Sequence, residues 1–394
     1  VSAVDADAPW SGDPAPAHAF ALRLDAELAL RLRERHHAGA FYRRVDAERD
    51  HLTAGTLGWA RDASPDDVAV MVRSGLEQFR RGDGWQADLC WRGAPVGSMG
   101  LHYLDRPGGS TEVGFWLQRA YQGRGLVTRA MRGLERHFFE ARRLDHVAIG
   151  SVPGNARSEA VARRLGYAPE AVLRRVLPGP DGPADLALAG LLREDWLARE
   201  ADEVRPPLPL PRFALRVDDE LQLGLFERDD VEVLHALVVA NRERLGRWMA
   251  WAIDPTPEGT RGFVEGRALP AIVQADGFEA GVYWRGRLLG AAGIHDVRRV
   301  PLQGSIGYWL AAEAEGHGLM QRVVRAVAAK AFEDLGFTRL AIRADVENAR
   351  SRAVPERLGF RYEGLLPRAM FDGRRYADHA VYGLLRDEWN PAAA

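Results

Sequence analysis

With 394 residues, 46% of them apolar and 27% charged, and a net charge of −2, the chain has the make-up of a soluble globular protein long enough for two domains. That balance excludes a general electrostatic pull toward nucleic acid or a membrane surface, and no apolar run approaches spanning length or a signal-peptide core. Cys90 is the single cysteine, which excludes intrachain disulfides and cysteine metal clusters, so the expectation is a cytoplasmic protein without a metal.

Residues 1–19, rich in Ala, Pro, Asp and Ser, read as a loose arm. A short strand over 21–24 follows, then helical stretches between 38 and 80. Strands are expected over 85–91 and 95–103, joined by the tight turn Arg92-Gly93-Ala94 as a hairpin. Another strand, 112–117, leads through Gln122-Gly123-Arg124-Gly125-Leu126-Val127-Thr128 into a helix. That helix carries Val127, Ala130, Met131, Leu134 and Phe138 at helical spacing. A strand over 146–149 comes next, and Asn155 then opens a helix ending in Leu165-Gly166-Tyr167.

The pattern then returns at a constant offset of 193 residues. Phe20-Ala21-Leu22-Arg23 recurs as Phe213-Ala214-Leu215-Arg216, and the same spacing links Trp91 to Trp284, His102 to His295, Gly123 to Gly316, Asn155 to Asn348 and Trp196 to Trp389. The chain is a duplicated domain, 20–200 and 213–394. Between the copies, 201–212 holds Pro206, Pro207, Pro209 and Pro211 and reads as an extended, semi-rigid spacer. Each copy is expected to be mixed α/β, a twisted mixed sheet flanked by helices. Its strand–helix–strand unit implies a parallel pair and a right-handed crossover. The glycine loop then falls at the carboxyl end of a strand, where open sheets bind ligands. A glycine pair there turns backbone N–H groups inward at a helix N-terminus, a cradle for phosphate or pyrophosphate; the alternative is a tight helix entry and no more.

These motifs together resemble the GNAT acetyltransferases, and the chain looks like a tandem pair of them. The second copy carries the fuller match: Gly307-Tyr308-Trp309-Leu310, Gly316-His317-Gly318-Leu319-Met320, Asn348-Ala349-Arg350-Ser351 and Leu358-Gly359-Phe360 are similar to the ribosomal-protein N-acetyltransferases of the RimJ/RimL type. The first keeps Gly123-Arg124-Gly125, Asn155-Ala156-Arg157-Ser158 and Leu165-Gly166-Tyr167.

The resemblance implies acetyl-CoA as donor and a primary amine as acceptor, on a small molecule or a peptide or protein N-terminus, joined in a ternary complex. It implies no nucleic-acid or membrane partner, and a monomer or homodimer. Cofactor contacts carry over to Trp116, Leu117, Gln122, Gly123, Arg124, Gly125, Leu126, Thr128 and Asn155 in the first copy. In the second they carry over to Trp309, Leu310, Gly316, His317, Gly318, Leu319 and Asn348. Backbone at 115–118 and 308–311 would bind the pantetheine arm and steady the oxyanion. Ser158 and Ser351 would meet the departing thiolate, or be ordinary first-turn hydroxyls.

For the base, the ribosomal-protein branch leads one to expect a glutamate shortly after Leu-Gly-Phe, where this chain has Leu177 and Met370. Replacement candidates are Glu112, whose counterpart is Ser305, and the histidine pair His102 and His295, which otherwise cap hairpin strands. Arg244, Trp248 and Trp251 resemble the acceptor side of the branch, the tryptophans being pocket or core. Cys90 lies outside every motif and is assigned to packing, against an acetyl-cysteine route. Two other readings stand beside the enzyme: an acetyl-CoA sensor or scaffold without turnover, and one working half buttressed by the other.

Overall fold

The computed structural model describes residues 19–55, 58–105, 108–179, 182–201, 212–371 and 375–391. The expected arm over 1–18, the proline spacer over 202–211 and Pro180-Asp181 lie outside the described residues. Two compact units emerge, divided at Arg212.

In the first unit the strands are β1 (Ala21–Arg23), β2 (Leu28–Leu32), β3 (Trp85–Trp91), β4 (Ala94–Asp105), β5 (Ser110–Leu117), β6 (His146–Ser151), β7 (Ala168–Gly179) and β8 (Gly182–Leu192). They lie in the order β1-β2-β3-β4-β5-β6-β8-β7. Helices α1 (Ala38–Ala47), α2 (Arg49–Gly55) and α3 (Pro65–Arg81) fill the connection from β2 to β3; α4 (Leu126–Arg136) joins β5 to β6, α5 (Ala156–Arg164) joins β6 to β7, and α6 (Arg193–Arg199) closes the unit. Local chemistry sets these limits. Ser64 and Asp67 form a reciprocal capping box ahead of Pro65 at the start of α3, and Gly82 ends it in the left-handed conformation.

The second unit repeats the plan with β9 (Ala214–Arg216), β10 (Leu221–Leu225), β11 (Phe278–Trp284), β12 (Arg287–Arg299), β13 (Leu302–Leu310), β14 (Arg339–Asp345), β15 (Arg361–Phe371) and β16 (Tyr376–Leu385). Their order is β9-β10-β11-β12-β13-β14-β16-β15. Its helices are α7 (Val231–Ala240), α8 (Arg242–Leu245), α9 (Pro257–Phe263), α10 (Leu269–Gln274), α11 (Leu319–Ala329) and α12 (Ala349–Arg357). The crossover helices bury most of the expected stripes, Ala130, Met131, Leu134 and Phe138 after β5 and Met320, Val323, Val324 and Val327 on α11; Val127 is only half-buried, and Leu126 takes the inward place instead, as Leu319 does in the second unit. Each unit is a mixed sheet with helices, as expected.

All neighbouring pairs within a unit are antiparallel except β5–β6 and β13–β14, which are parallel. Those two pairings are short. β13 and β14 are in register from Gln303↔Arg339 to Ser305↔Ala341, while β13 runs on to Leu310. β5 pairs with β6 from Ser110↔His146 to Val113↔Ile149 and runs on to Leu117. Beyond these points the two strands part, and one edge of the leading strand keeps its backbone groups out of the ladder. The splayed strand expected before each glycine loop is therefore present in both units.

Candidate active site

In the second unit the splay opens into a cleft of about 2060 Å³. Ile306 to Leu310 of β13 form one wall and Arg343 to Asp345 of β14 the other; Gly316, Gly318 and Leu319 close one end, and Asn348 and Ser351 also line it. Trp248 and Trp251 border it too, the Trp251 ring 6.0 Å from that of Trp309. Trp251 is about half exposed, so it stands as an aromatic wall and not as core.

The glycine loops show what their composition is for. Gly123 and Gly125 have φ of 77° and 71°, Gly316 and Gly318 of 82° and 68°, a region that L side chains rarely enter. A Cβ at any of the four would meet nothing within 4 Å, so the space above them is open. Gly125 and Gly318 are themselves the N-caps of α4 and α11, with no side-chain cap and no acidic residue in the first turn. The first-turn N–H groups of two eleven-residue helices are thus left for an outside acceptor. A diphosphate fits such an end. The residue between the glycines rests on the corresponding tryptophan in the two units: Arg124 lies over the Trp91 ring at 5.4 Å, and the His317 ring packs against that of Trp284 at 4.8 Å. Leu126 and Leu319 are buried. The Thr128 hydroxyl accepts from Arg164 at 3.4 Å.

The loops are tied to the preceding helical region by residues that correspond in place but not in kind. Gln122 Nε2 contacts His51 Nε2 at 2.6 Å and donates to the Leu117 carbonyl at 3.2 Å. At the matching positions Arg244 pairs with Glu315 at 2.6 Å and donates to the Leu310 carbonyl. Likewise Glu48 accepts from the Arg119 N–H, and Asn241 from the Ala312 N–H. Arg244, expected to meet the acceptor, lines the cleft with its guanidinium already engaged by β13 and the loop.

Asn155 and Asn348 cap α5 and α12, their Oδ1 atoms accepting from the N–H of Ser158 at 3.3 Å and of Ser351 at 3.1 Å. The Ser351 hydroxyl lies 3.4 Å from that of Tyr308, which donates to the Ser351 carbonyl at 2.9 Å. Burial raises the Tyr308 phenol to about 12, so it keeps its proton. Phe115 stands at the same place in the first unit and cannot form this clamp.

The histidines sit within their strands, not at hairpin ends. His102 faces Glu112 across β4 and β5, and His295 faces Ser305 across β12 and β13. Burial lowers both imidazoles, with Asp296, 3.2 Å from His295, opposing it in the second unit. Burial also raises the Glu112 carboxyl. Regular pairing breaks just after each histidine, and Asp296 takes a left-handed φ of 53°. Met370 lines the cleft where a glutamate would be expected, and brings no proton acceptor.

Sequence reasoning passes over Glu279, which lines the cleft 8% exposed and pairs with Arg267 at 3.0 Å. Burial holds its carboxyl up at about 7 against the pull of Arg267, with Asp296 adding to the rise. Its counterpart is Gln86, whose Nε2 lies 3.5 Å from His102 Nδ1. The available signal was the mismatch itself, a charged residue facing an amide at the 193-residue offset. Cys90 is fully buried, and burial pushes its thiol up to about 12, so it offers no thiolate.

The model of the acetyltransferase (GNAT) domain family matches the chain twice, over residues 27–168 and 220–361. YdaF of Bacillus subtilis (strain 168) is 35% identical over 178 residues, 45% of this chain and 97% of that protein. The ribosomal-protein-serine acetyltransferase of Escherichia coli (strain K12) is 24% identical over 176 residues, 44% of this chain and 97% of its own length. Among solved structures, RimL, a ribosomal L7/L12 alpha-N-protein acetyltransferase in complex with coenzyme A, is 24% identical, with 45% of this chain and 99% of that one covered and a TM-score of 0.42. With the family domain present once in each unit, the chain belongs to the GNAT acetyltransferases as a tandem pair of the RimJ/RimL type.

Proposed function

We propose that the chain transfers the acetyl group of acetyl-CoA to a primary amine, on a peptide or protein N-terminus or a small molecule, and that the cleft of the second unit performs the transfer. The observation that carries this reading is the junction of two features: β13 parts from β14 beside a helix whose first N–H groups have no side-chain cap. The loop Gly316-His317-Gly318 would hold the diphosphate, and the freed edge of β13 beyond Ser305 the pantetheine arm. Acetyl-CoA, when bound, supplies an activated thioester. The chain's own part is to order the amine against it. Trp248, Met249 and Trp251 wall the acceptor side, the backbone N–H groups of Tyr308 and Leu310, which point away from β12, face the carbonyl oxygen, and Ser351 with Tyr308 offers a proton to the sulfur. In the first unit Gly123, Gly125 and Asn155 would bind the same donor, with Ser158 alone at the sulfur end.

The test is thiol release from acetyl-CoA with a panel of short peptides and small amines, joined to calorimetry. Gly316→Trp should abolish saturable acetyl-CoA binding in the second unit and turnover with it. Gly123→Trp should remove at most one binding event and leave turnover. Cofactor saturation with no turnover on any amine would instead identify an acetyl-CoA sensor.

A further inference from the structure

Three strands of the second unit present one face to the cleft, and glycines occupy its middle. In register, Glu279 of β11 stands beside Gly293 of β12, which stands beside Gly307 of β13. A Cβ on Gly293 would lie 2.5 Å from Glu279 Oε2, and one on Gly307 would lie 2.7 Å from His295 Nε2. Both side chains therefore lie flat across a floor that only hydrogen atoms leave open. They reach toward the strand assigned above to the pantetheine arm. We propose that Glu279 is the proton acceptor for the incoming amine, with His295 beside it as the group through which that proton leaves to solvent.

The proposal rests on the acetyltransferase reading of this cleft and adds a catalytic residue to it. An amine reaches the cleft as its ammonium ion, which cannot attack a carbonyl. A buried carboxylate first attracts that cation and then takes one of its protons, becoming a neutral carboxylic acid. The freed nitrogen pair forms the N–C bond, the carbon–sulfur bond breaks, and the second nitrogen proton ends on the departing sulfur. Glu279 then returns its proton to solvent past His295, which is 29% exposed in its side chain. The charged groups acting on Glu279 are Arg267 from the helical segment Val264–Ala268 and Asp296 from β12; Asp296, Arg267 and Arg343 of β14 act on His295 in turn. Arg267 tunes the carboxyl without quenching it, because its own side chain is 55% exposed. A carboxylate titrating near neutrality is suited to general-base work at pH 7. The first unit offers an internal contrast, since Gln86 fills the same place and accepts no proton.

The experiment uses the full chain, acetyl-CoA and short peptides with free N-termini, with turnover followed from pH 5 to 9. Glu279→Gln should lower kcat/KM by about a hundredfold or more while acetyl-CoA affinity stays within twofold. It should also erase the ascending limb of the pH–rate profile near neutrality. Arg267→Met removes the neighbouring cation and should move that limb to higher pH; it tests the idea even if Glu279→Gln fails to fold. Full activity with an unchanged profile in Glu279→Gln, or an unmoved limb in Arg267→Met, overturns the proposal alone. A wild-type chain that binds acetyl-CoA but acetylates none of the peptides overturns it together with the reading it rests on.

Discussion

The two units keep the same backbone signals and use the same sheet face for different ends. In the first, Asp88 on β3 is fully buried and paired with Arg31, Arg33 and Arg44. Arg33 also donates to Ser98 at 2.6 Å and lies 3.6 Å over the Phe41 ring, which in turn packs 6.2 Å from Trp116. In the second, the matching residues are Gly281 for Asp88, Phe226 for Arg33, Ala291 for Ser98 and Leu234 for Phe41. Ala291, Leu234 and Trp309 line the cleft, and Trp309 packs against Val238, Leu245 and Ala252 and beside Trp251. One copy has filled this sheet face with an ion cluster, and the other has left it open to the cleft. The difference teaches that the glycine-loop end of each unit is set by backbone geometry, which survives duplication. The sheet face that carries Asp88 in one copy and Gly281 in the other is set by side-chain volume and charge, which are free to drift.

The carboxyl groups beside the histidines diverge in the same spirit. Each unit holds a half-buried histidine flanked by one carboxyl whose acidity burial has weakened, Glu112 in the first and Glu279 in the second. They lie on opposite sides of the histidine, on β5 and on β11. Two active copies would therefore approach an amine from different directions.

The sharpest way to break the comparison is to remove the charge that fills the first unit. Asp88→Ala leaves three guanidinium groups clustered with their shared partner gone, and breaking one side of a buried ion cluster costs about 3–5 kcal/mol. Burial alone would raise the Asp88 carboxyl, yet Arg33, Arg44 and Arg31 together hold it far below the usual range, which shows how firmly the cluster wants that anion. Denaturant unfolding should show the transition of the first unit moving to lower concentration, with a loss of unfolding free energy of that size. Acetyl-CoA turnover should remain. A loss under about 1 kcal/mol would mean the cluster behaves as a surface one and that the two units differ less on this face than their sequences suggest.

Much of this was readable in the chain. The glycine loops, the asparagine caps, the parallel crossover and the central hairpins all follow from local signals that act within a few residues. Other elements leave no such trace. Leu28–Leu32 and Leu221–Leu225 consist of leucine, alanine, arginine, glutamine and glycine, mostly good helix formers, and become strands by pairing with β1 and β3 and with β9 and β11. β15 is exposed along nearly its whole length, so no alternation marks it. Glu279 is ordinary by sequence, because its altered acidity comes from strands brought together by the fold.

The next test concerns that residue's cost. The Glu279 carboxyl is raised in the folded state, so its contribution to stability is full below about pH 4 and is lost as pH rises through about 7. Glutamine does not ionise. Glu279→Gln should therefore unfold at higher denaturant concentration than the wild type above pH 7, by up to about 3 kcal/mol, and the gain should vanish on acidification. Gln86→Leu, which removes no ionisable group, should show no such pH dependence. A variant less stable than the wild type at pH 8 would mean that the Arg267 pair outweighs the burial of the charge, and the two units would then differ less than their sequences suggest.

The smallest effect tests the sulfur end. Tyr308→Phe gives the second unit the residue that the first already has at Phe115. The change removes one hydroxyl at a part-buried position, and with it the donor to the Ser351 carbonyl and the neighbour of the Ser351 hydroxyl. If the two hydroxyls act together on the departing thiolate, kcat should fall about tenfold, equivalent to about 1.4 kcal/mol of barrier, with acetyl-CoA affinity nearly unchanged. The drop should be smaller for a donor whose thiol leaves more readily, since a weaker base needs the proton less. Ser351→Ala on top of Tyr308→Phe should then cost less than it does alone, because one broken clamp cannot be broken twice. Independent, additive losses would place Ser351 at the sulfur without help from Tyr308, and the contrast between Tyr308 and Phe115 would lose its chemical meaning.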